Sequence, residues 1–330
     1  MKLKRWVVFP VIIVALLAAC SVPSPAATSP PTEVAATEDL PTPETTEAPA
    51  TEPAKDTIVF GDIGSDPAEI IDGTQPIADY VASKLADYGV AAGAVRVAAS
   101  DTEMIELIKN GEVDLYFDSV YPATLIADGS GARPFVRRWS RGVGEYHTVI
   151  FASKASGIAS VDDLPGKMVA FDNPYSTSGY MLPLAYLSEQ GFTLTEKQSN
   201  SDAVAKDEIG YAYSNADENT VQWVISGLVA AGVTDNVRYA RLDQAVRDQL
   251  VILAETEDVP RQVGLARADI DPKLLKAITE ILLKADQDDE GKAALESFAN
   301  TTKLDEFPDI DKTFVRIREM IDLVNKAQKP

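Results

Sequence analysis

The sequence predicts an α/β protein made of two similar halves, and two observations carry that expectation. From Thr57 onward, short apolar runs that read as strands alternate with stretches of helical spacing, the pattern of a largely parallel sheet covered by helices. One such unit also occurs twice. "IELIKNGEVDLYFDS", from Ile105, matches "VQWVISGLVAAGVTD", from Val221, so that Gly111 corresponds to Gly227, Val113 to Val229 and Ser119 to Asp235. Both copies read as a helix with an apolar face, a glycine stop, a short link and a buried strand. Asp101 and Asp217 stand at matching positions near the two helix starts.

The first copy belongs to a run whose elements follow in order. "TIVFG", Thr57–Gly61, is the opening strand. Pro76–Tyr88 reads as a helix with Ile77, Tyr80, Val81 and Leu85 on one face. "VRVAAS" is a second strand. Ser100 and Glu103 have capping-box spacing and start a helix carrying Met104, Ile105, Leu107 and Ile108, which stops at Asn110-Gly111. "VDLYFD" is the next strand. In open α/β sheets ligands sit beyond the carboxyl ends of the strands. That places Asp118 and Ser119 at the cleft in one half, and Thr234 and Asp235 in the other. Asp62, Ser65 and Asp66, just after the first strand, are pocket candidates by position alone.

The bulk composition narrows the function. The 330 residues are 45% apolar and 25% charged, with a formal net charge of -21. Nucleic-acid affinity comes from neutralising phosphates with Lys and Arg, so that charge argues against it. Any small anion must be held by local donors rather than by the overall field. His147 is the only histidine and Cys20 the only cysteine. No metal site and no intramolecular disulfide is expected, and His147, in a strand-like run, reads as structural.

The first twenty residues do not read as part of the fold. Lys2, Lys4 and Arg5 precede an apolar run from Trp6 to Leu17, which is short for a membrane span and suits an export signal. With Leu17-Ala18-Ala19-Cys20 it resembles a bacterial lipoprotein signal, in which cleavage before Cys20 leaves a lipid-modified cysteine. Residues 21–56 are rich in Pro, Thr, Ala and Glu and have no aromatic residue. They read as a disordered tether spanning on the order of 30–40 Å.

In "DNPYSTSGYMLP", Asp172–Pro183, three hydroxyl side chains and a glycine lie between a strand, Met168–Phe171, and a helix with Tyr180, Met181, Leu184 and Leu187. Ser or Thr at that place is an N-cap. The cap alone is one reading; the other is an anion cradle, because the first N–H groups of a helix lack acceptors and its end carries a partial positive charge. Gly179 would let a ligand approach the backbone.

These segments together resemble the solute-binding proteins of phosphate/phosphite/phosphonate ABC importers. The resemblance runs from Thr57 to about Ala299. It is carried by "QPIADYVASKL", "NGEVDLYFDS", "SGIASVDDLPGKMVAFDNPYSTSGYMLPLAYLSEQGF", "DENTVQWVISGLVAAGVTDN" and "EGKAALESF". It implies a two-lobed type II periplasmic binding protein, each lobe a mixed sheet flanked by helices, joined by a hinge that the chain crosses twice. Residues 57–151 would begin lobe one, 152–250 form lobe two, and 251–330 return to lobe one, with the helices after Asp271 packing there. The crossings are expected near "HTVIFASKAS" and "VILAETEDVP". The resemblance further implies a lipid-anchored, extracytoplasmic monomer without cofactor or catalytic residues, which binds a small phosphorus oxyanion and serves a permease and ATPase.

By the same resemblance the oxyanion binds Ser176, Thr177 and Ser178. Asp118, Glu218 and Asp235 stand at cleft-facing ends, where an ionised carboxylate can accept a P–OH proton or grip the ammonium of an aminoalkylphosphonate. Each is equally an ordinary surface acid. Many phosphonate binders carry a histidine near the start of the second repeated unit, where this chain has Asp217-Glu218-Asn219-Thr220, so ligand identity stays open. Tyr121 and Tyr180 are placed to close over a ligand or simply to pack. Arg133, Arg137, Arg138 and Arg141 read as a solvated strand edge; the alternatives are a permease contact or one arginine reaching the cleft. Two other functions were weighed. A tethered sensory or adhesive lipoprotein could use the same fold. A serine hydrolase would need a base beside Ser176 or Ser178, and the chain has no G-x-S-x-G elbow.

Overall fold

The computed structural model describes residues 56–328; Cys20, the apolar run before it and all of the tether except Asp56 lie outside the described residues. The chain begins with β1 (Thr57–Ile63), α1 (Pro67–Ser83), β2 (Ala92–Ala98), α2 (Asp101–Lys109), β3 (Leu115–Asp118), α3 (Val120–Ser130) and β4 (Arg133–Ser140), and reaches a short strand β5 (Glu145–Tyr146). Then come β6 (Thr148–Ser153), β7 (Met168–Phe171), α4 (Leu182–Glu189), β8 (Thr193–Glu196), β9 (Glu208–Tyr213), α5 (Asp217–Ile225), β10 (Ala231–Asp235), α6 (Asn236–Arg241), α7 (Gln244–Arg247) and β11 (Leu250–Glu255). The return is through β12 (Val259–Pro260) to β13 (Gln262–Ala266), α8 (Pro272–Lys284), α9 (Asp289–Ser297), β14 (Thr301–Asp305) and α10 (Ile310–Ala327).

Two six-stranded sheets result, ordered β14-β4-β13-β3-β1-β2 and β11-β6-β10-β7-β9-β8. In each, the parallel strands meet a reversed strand, β13 against β3 and β6 against β10, and in the first sheet the edge strand β14 is reversed as well. Parallel strands end at the cleft, so a strand entering from the other lobe must run the opposite way. β5 and β12 pair antiparallel, Tyr146 opposite Val259 and Glu145 opposite Pro260, and form the two-stranded hinge. The run Thr148–Ser153, expected near the crossing, lies inside the second sheet, fully buried. Its continuous apolar character marks a strand covered on both faces, which sequence alone could not distinguish from a hinge.

The repeated unit is real in three dimensions. α2 and α5 each run nine residues from Asp101 and Asp217. Each is followed by a left-handed glycine, Gly111 at φ 69° and Gly227 at φ 74°. The strands after them end at Asp118 and Asp235, and each pairs parallel on one side and antiparallel on the other. The first helix differs from expectation. It begins at Pro67 rather than Pro76, with Asp66 capping the Glu69 amide and Pro67 in the first turn. Asp66 is thereby spent on a helix end, and Ser65 is exposed.

α8 and α9 pack on the first lobe, against α1 and β14. α10 packs on both lobes rather than on the first alone, where the sequence placed it. Its buried face, Phe314, Ile317, Met320, Ile321 and Val324, packs between α4 of the second lobe and α3 of the first. Its polar face is tied to both: Arg316 to Glu189 at 2.9 Å and Glu257 at 2.6 Å, and Arg318 to Asp128 at 2.7 Å. An amphipathic helix records only that it has an apolar face, not which of two lobes supplies the partner.

In the second lobe Glu208 joins β8 to β9. It accepts from Lys197 and Thr195, each at 2.6 Å, and from the Ala205 amide at 2.9 Å. These donors hold its carboxyl down to about 2. A depressed carboxyl stabilises the fold above its unfolded pKa of about 4.3 and loses that contribution as pH falls toward the folded value. Glu208→Gln is therefore expected to lower the melting temperature at pH 7 by a few degrees, with the gap to wild type closing between about pH 4 and pH 2. Thermal melts across that range check it; a gap that stays constant down to pH 2 would contradict the account.

Candidate functional site

The cleft is built where strand ends of both lobes meet the hinge. From the first lobe come Asp62 at the end of β1 and Asp118 at the end of β3, with Ser119 capping α3. From the second come Asp172 after β7, Ser214 after β9 and Asp235 at the end of β10. The reversed strands contribute their first residues, Thr148 and Gln262, and Tyr146 comes from the hinge.

The hydroxyl triplet opens a widened helical turn over Thr177–Met181, in which the Met181 amide bonds the Ser176 carbonyl at 3.1 Å. Such a π-type turn inserts a residue before α4. Ser176 is the cap: its Oγ accepts from the Gly179 amide at 2.9 Å. Thr177 is buried, and its Oγ1 accepts from the Tyr121 amide of the first lobe at 3.1 Å. The Ser178 carbonyl accepts from Thr148 Oγ1 at 2.6 Å. The amides of Thr177 and Ser178 open the helix, so no carbonyl precedes them to accept. The Tyr146 phenol lies against the Thr177 and Ser178 side chains, and burial pushes it up to about 12.

The glycine in this element serves packing. A Cβ on Gly179 would come within 2.3 Å of the Asp172 Cβ and 2.8 Å of Ser176 Oγ, and the Gly179 carbonyl accepts from the Asp172 amide at 3.0 Å. The close approach that the sequence assigned to a ligand is made by the protein itself.

Asp118 accepts from the Tyr116 hydroxyl at 2.7 Å and the Ser119 amide at 2.6 Å, and burial pushes its carboxyl up. Ser119 makes no side-chain cap bond. Tyr121 is buried, with its ring 6.2 Å from that of Tyr180, and its phenol is pushed up to about 12 by burial. It meets the triplet through its amide rather than its phenol. Tyr180 is a packing residue among Phe171, Tyr211 and Tyr213, and its hydroxyl accepts from Gln328.

Asp235 is buried and caps α6, accepting from the Arg238 amide at 2.9 Å. Arg238 Nε stands 3.4 Å and Arg261 Nη1 3.9 Å from its carboxylate. Arg238 also pairs with Asp217, which accepts from Thr234 at 2.7 Å. Glu218 is exposed. It lines a groove of about 720 Å³ with Asp172, Asn215, Arg238 and Arg141. His147 is held between the two passages of the chain, Nδ1 2.7 Å from Asp258 and Nε2 3.6 Å from Glu255.

The arginine cluster departs from its expected place. β4 lies between β13 and β14, not at an edge. Arg133 and Arg141 are exposed, but Arg137 and Arg138 are buried. Arg137 grips Asp305 with two bonds, at 2.9 and 2.8 Å, and Glu145 at 2.6 Å. Arg138 lies over the Phe298 ring at 4.3 Å, and burial lowers it to about 10. Arg261, which sequence reasoning did not single out, lies over the Tyr146 ring at 4.9 Å. An Arg-Gln pair at the start of a strand carries no sequence signal; only the hinge brings it to the cleft.

Two lobes of one repeated design, reversed strands from a two-stranded hinge and a cleft at the strand ends define a type II periplasmic binding protein. The chain belongs to the family described as ABC transporter, phosphonate, periplasmic substrate-binding protein, whose model matches residues 64–311. That family consists of transporter substrate-binding proteins and not enzymes. Among solved structures, XAC2383 from Xanthomonas citri bound to chloride ion is 26% identical, with a TM-score of 0.75, over 82% of this chain and 100% of that one. The same protein bound to ATP is 25% identical with a TM-score of 0.74, over 83% and 100%. PhnD1 from Prochlorococcus marinus (MIT 9301) in complex with methylphosphonate shares the fold, at 15% identity and a TM-score of 0.58 over 82% and 99%.

Gly179→Ala is expected to destabilise the protein by about 1–3 kcal/mol, the usual cost of forcing a methyl into a filled site. Urea denaturation measures it, and a loss below about 0.5 kcal/mol would show that Asp172 yields easily.

Proposed function

We propose that this chain is the extracytoplasmic solute-binding component of an ABC importer and captures a phosphorus oxyanion, phosphonate, phosphite or phosphate, by closure of its lobes. The observation that carries this reading is the bond from the Tyr121 amide to Thr177 Oγ1, which sets the triplet of one lobe against the first turn of α3 in the other. A hydroxyl has one proton and two acceptor sites. Thr177 accepts from Tyr121 and can still donate, and the Thr177 and Ser178 amides add donors at the positive end of a helix. Hydrogen bonds to a charged oxygen are the stronger class.

In this reading Thr177 and Ser178 are the donors, Ser176 and Gly179 hold their turn in shape, and Tyr121 and Ser119 bring the first lobe to the ligand. Asp118, Glu218 and Asp235 decide which substituents or protonated oxygens are accepted. The groove beside Arg238 leaves room for an organic substituent. The Xanthomonas citri protein bound to chloride ion or to ATP and PhnD1 in complex with methylphosphonate are similar proteins that take anions, which supports an anionic ligand here. The protein would work as a monomer, anchored through lipidated Cys20 and tethered by residues 21–56, and deliver its ligand to a permease and ATPase.

Calorimetric titration of the full chain in detergent with phosphate, phosphite, methylphosphonate and aminoethylphosphonate tests the reading. At least one should bind saturably, and Thr177→Val and Ser178→Ala should each weaken it at least tenfold, from about 1.5–3 kcal/mol per bond to a charged group. Folded protein that binds none of the four, or two variants with wild-type affinity, would sink it.

A further inference from the structure

Arg138 is a cation that the fold buries, 4% exposed, with its Nε unmet among the described residues. Its neighbour Arg137 shows the usual solution, a carboxylate fork plus a second acid. Asp62 and Asp118 act on Arg138 by charge. Neither acid hydrogen-bonds it among the described residues: the oxygens of Asp118 accept from the Tyr116 hydroxyl and the Ser119 amide, and Asp62 Oδ1 accepts from the Ile63 amide at 2.7 Å. Leaving buried donors unmet is costly, and more so for a charged fork.

The position of this cation ties it to the cleft. Arg138 stands opposite Gln262 in the β4–β13 register, and Val263 stands opposite Asp118. Arg261, the residue before Gln262, also has a buried Nη1 without a hydrogen bond. It lies over Tyr146, whose phenol meets Thr177 and Ser178. Arg138 is thus linked to the open helix end through the strand register to Gln262, its neighbour Arg261, and Tyr146.

We propose that Arg138, assisted by Arg261, is the charged anchor of the ligand, and that the site selects a terminal, doubly charged phosphorus oxyanion, a phosphonate or phosphate monoester, over singly charged diesters. This rests on the oxyanion reading above. A planar fork matches two oxygens of a terminal head, and a diester offers neither the second charge nor the free third oxygen. The acids around the site are Asp62, Asp101, Asp118 and Asp235. Burial pushes the carboxyls of the first three up, and Arg238 and Arg261 stand beside Asp235 at 3.4 and 3.9 Å.

The test measures, at pH 8.5, the affinity of the full chain for methylphosphonate and methyl phosphate, each against its further methylated ester. Wild type should favour the dianions by about 30-fold or more. Arg138→Met should weaken dianion binding by about 30-fold while changing ester binding less than about threefold, so that the preference collapses, and Arg138→Lys should fall between. Merely structural damage would weaken dianion and ester alike, and that outcome overturns the proposal, as does an Arg138→Met protein that keeps the wild-type preference. If neither variant folds, Arg138 belongs to the packing on Phe298 and the proposal also fails. Wild type that binds no oxyanion instead defeats the underlying reading, so the two failures are told apart by wild type alone.

Discussion

The chain passes between its two sheets twice, and the directions of those passages govern the rest of the molecule. Because β5 and β12 pair as a ribbon, the strand after each passage enters its sheet from the cleft and runs against its parallel neighbours. The same geometry places strand carboxyl ends of both lobes around one cleft, which is where open α/β sheets hold ligands. His147 joins the two passages through Asp258 and Glu255, and Arg137 links the ribbon to β14 through Glu145 and Asp305. The hinge is thus laced by polar and ionic contacts of His147 and Arg137.

A second link between the lobes lies away from the hinge. α10 buries one face across α3 and α4, and its arginines hold an acid on each lobe. Exposed ion pairs of this kind contribute little stability individually, so the apolar face does most of the holding. Relative motion of the lobes must carry α10 with it or slide one lobe along it. In the proposed closure, this helix would belong to the moving parts as much as the ribbon does.

Among the described residues, Arg138 Nε and Arg261 Nη1 are buried cationic donors without a hydrogen bond. The net charge of -21 gives no general attraction for an anion. In the proposed reading the attraction is local: two amides at a helix start, hydroxyls beside them, and the guanidinium groups of Arg138 in β4 and of Arg261 just before β13. Affinity from fixed dipoles and forks in a sheltered cleft is less exposed to salt screening than affinity from surface charge.

What the sequence determined by itself was local or repeated. The strand and helix alternation, the 101–119 and 217–235 echo, the glycine stops and the cap at Ser176 depend on neighbours within a few residues, and the family resemblance lay in contiguous segments. Tertiary structure alone decided the burial of Arg138, the arrival of Arg261 at the cleft, the packing role of Gly179 and the position of α10 across both lobes. Each depends on residues far away in the chain: Phe298 for Arg138, Tyr146 for Arg261, α3 for α10. A charged run reads as a surface until it is known that β14 will cover its strand, and a glycine beside a helix start reads as open space until Asp172 is seen to fill it.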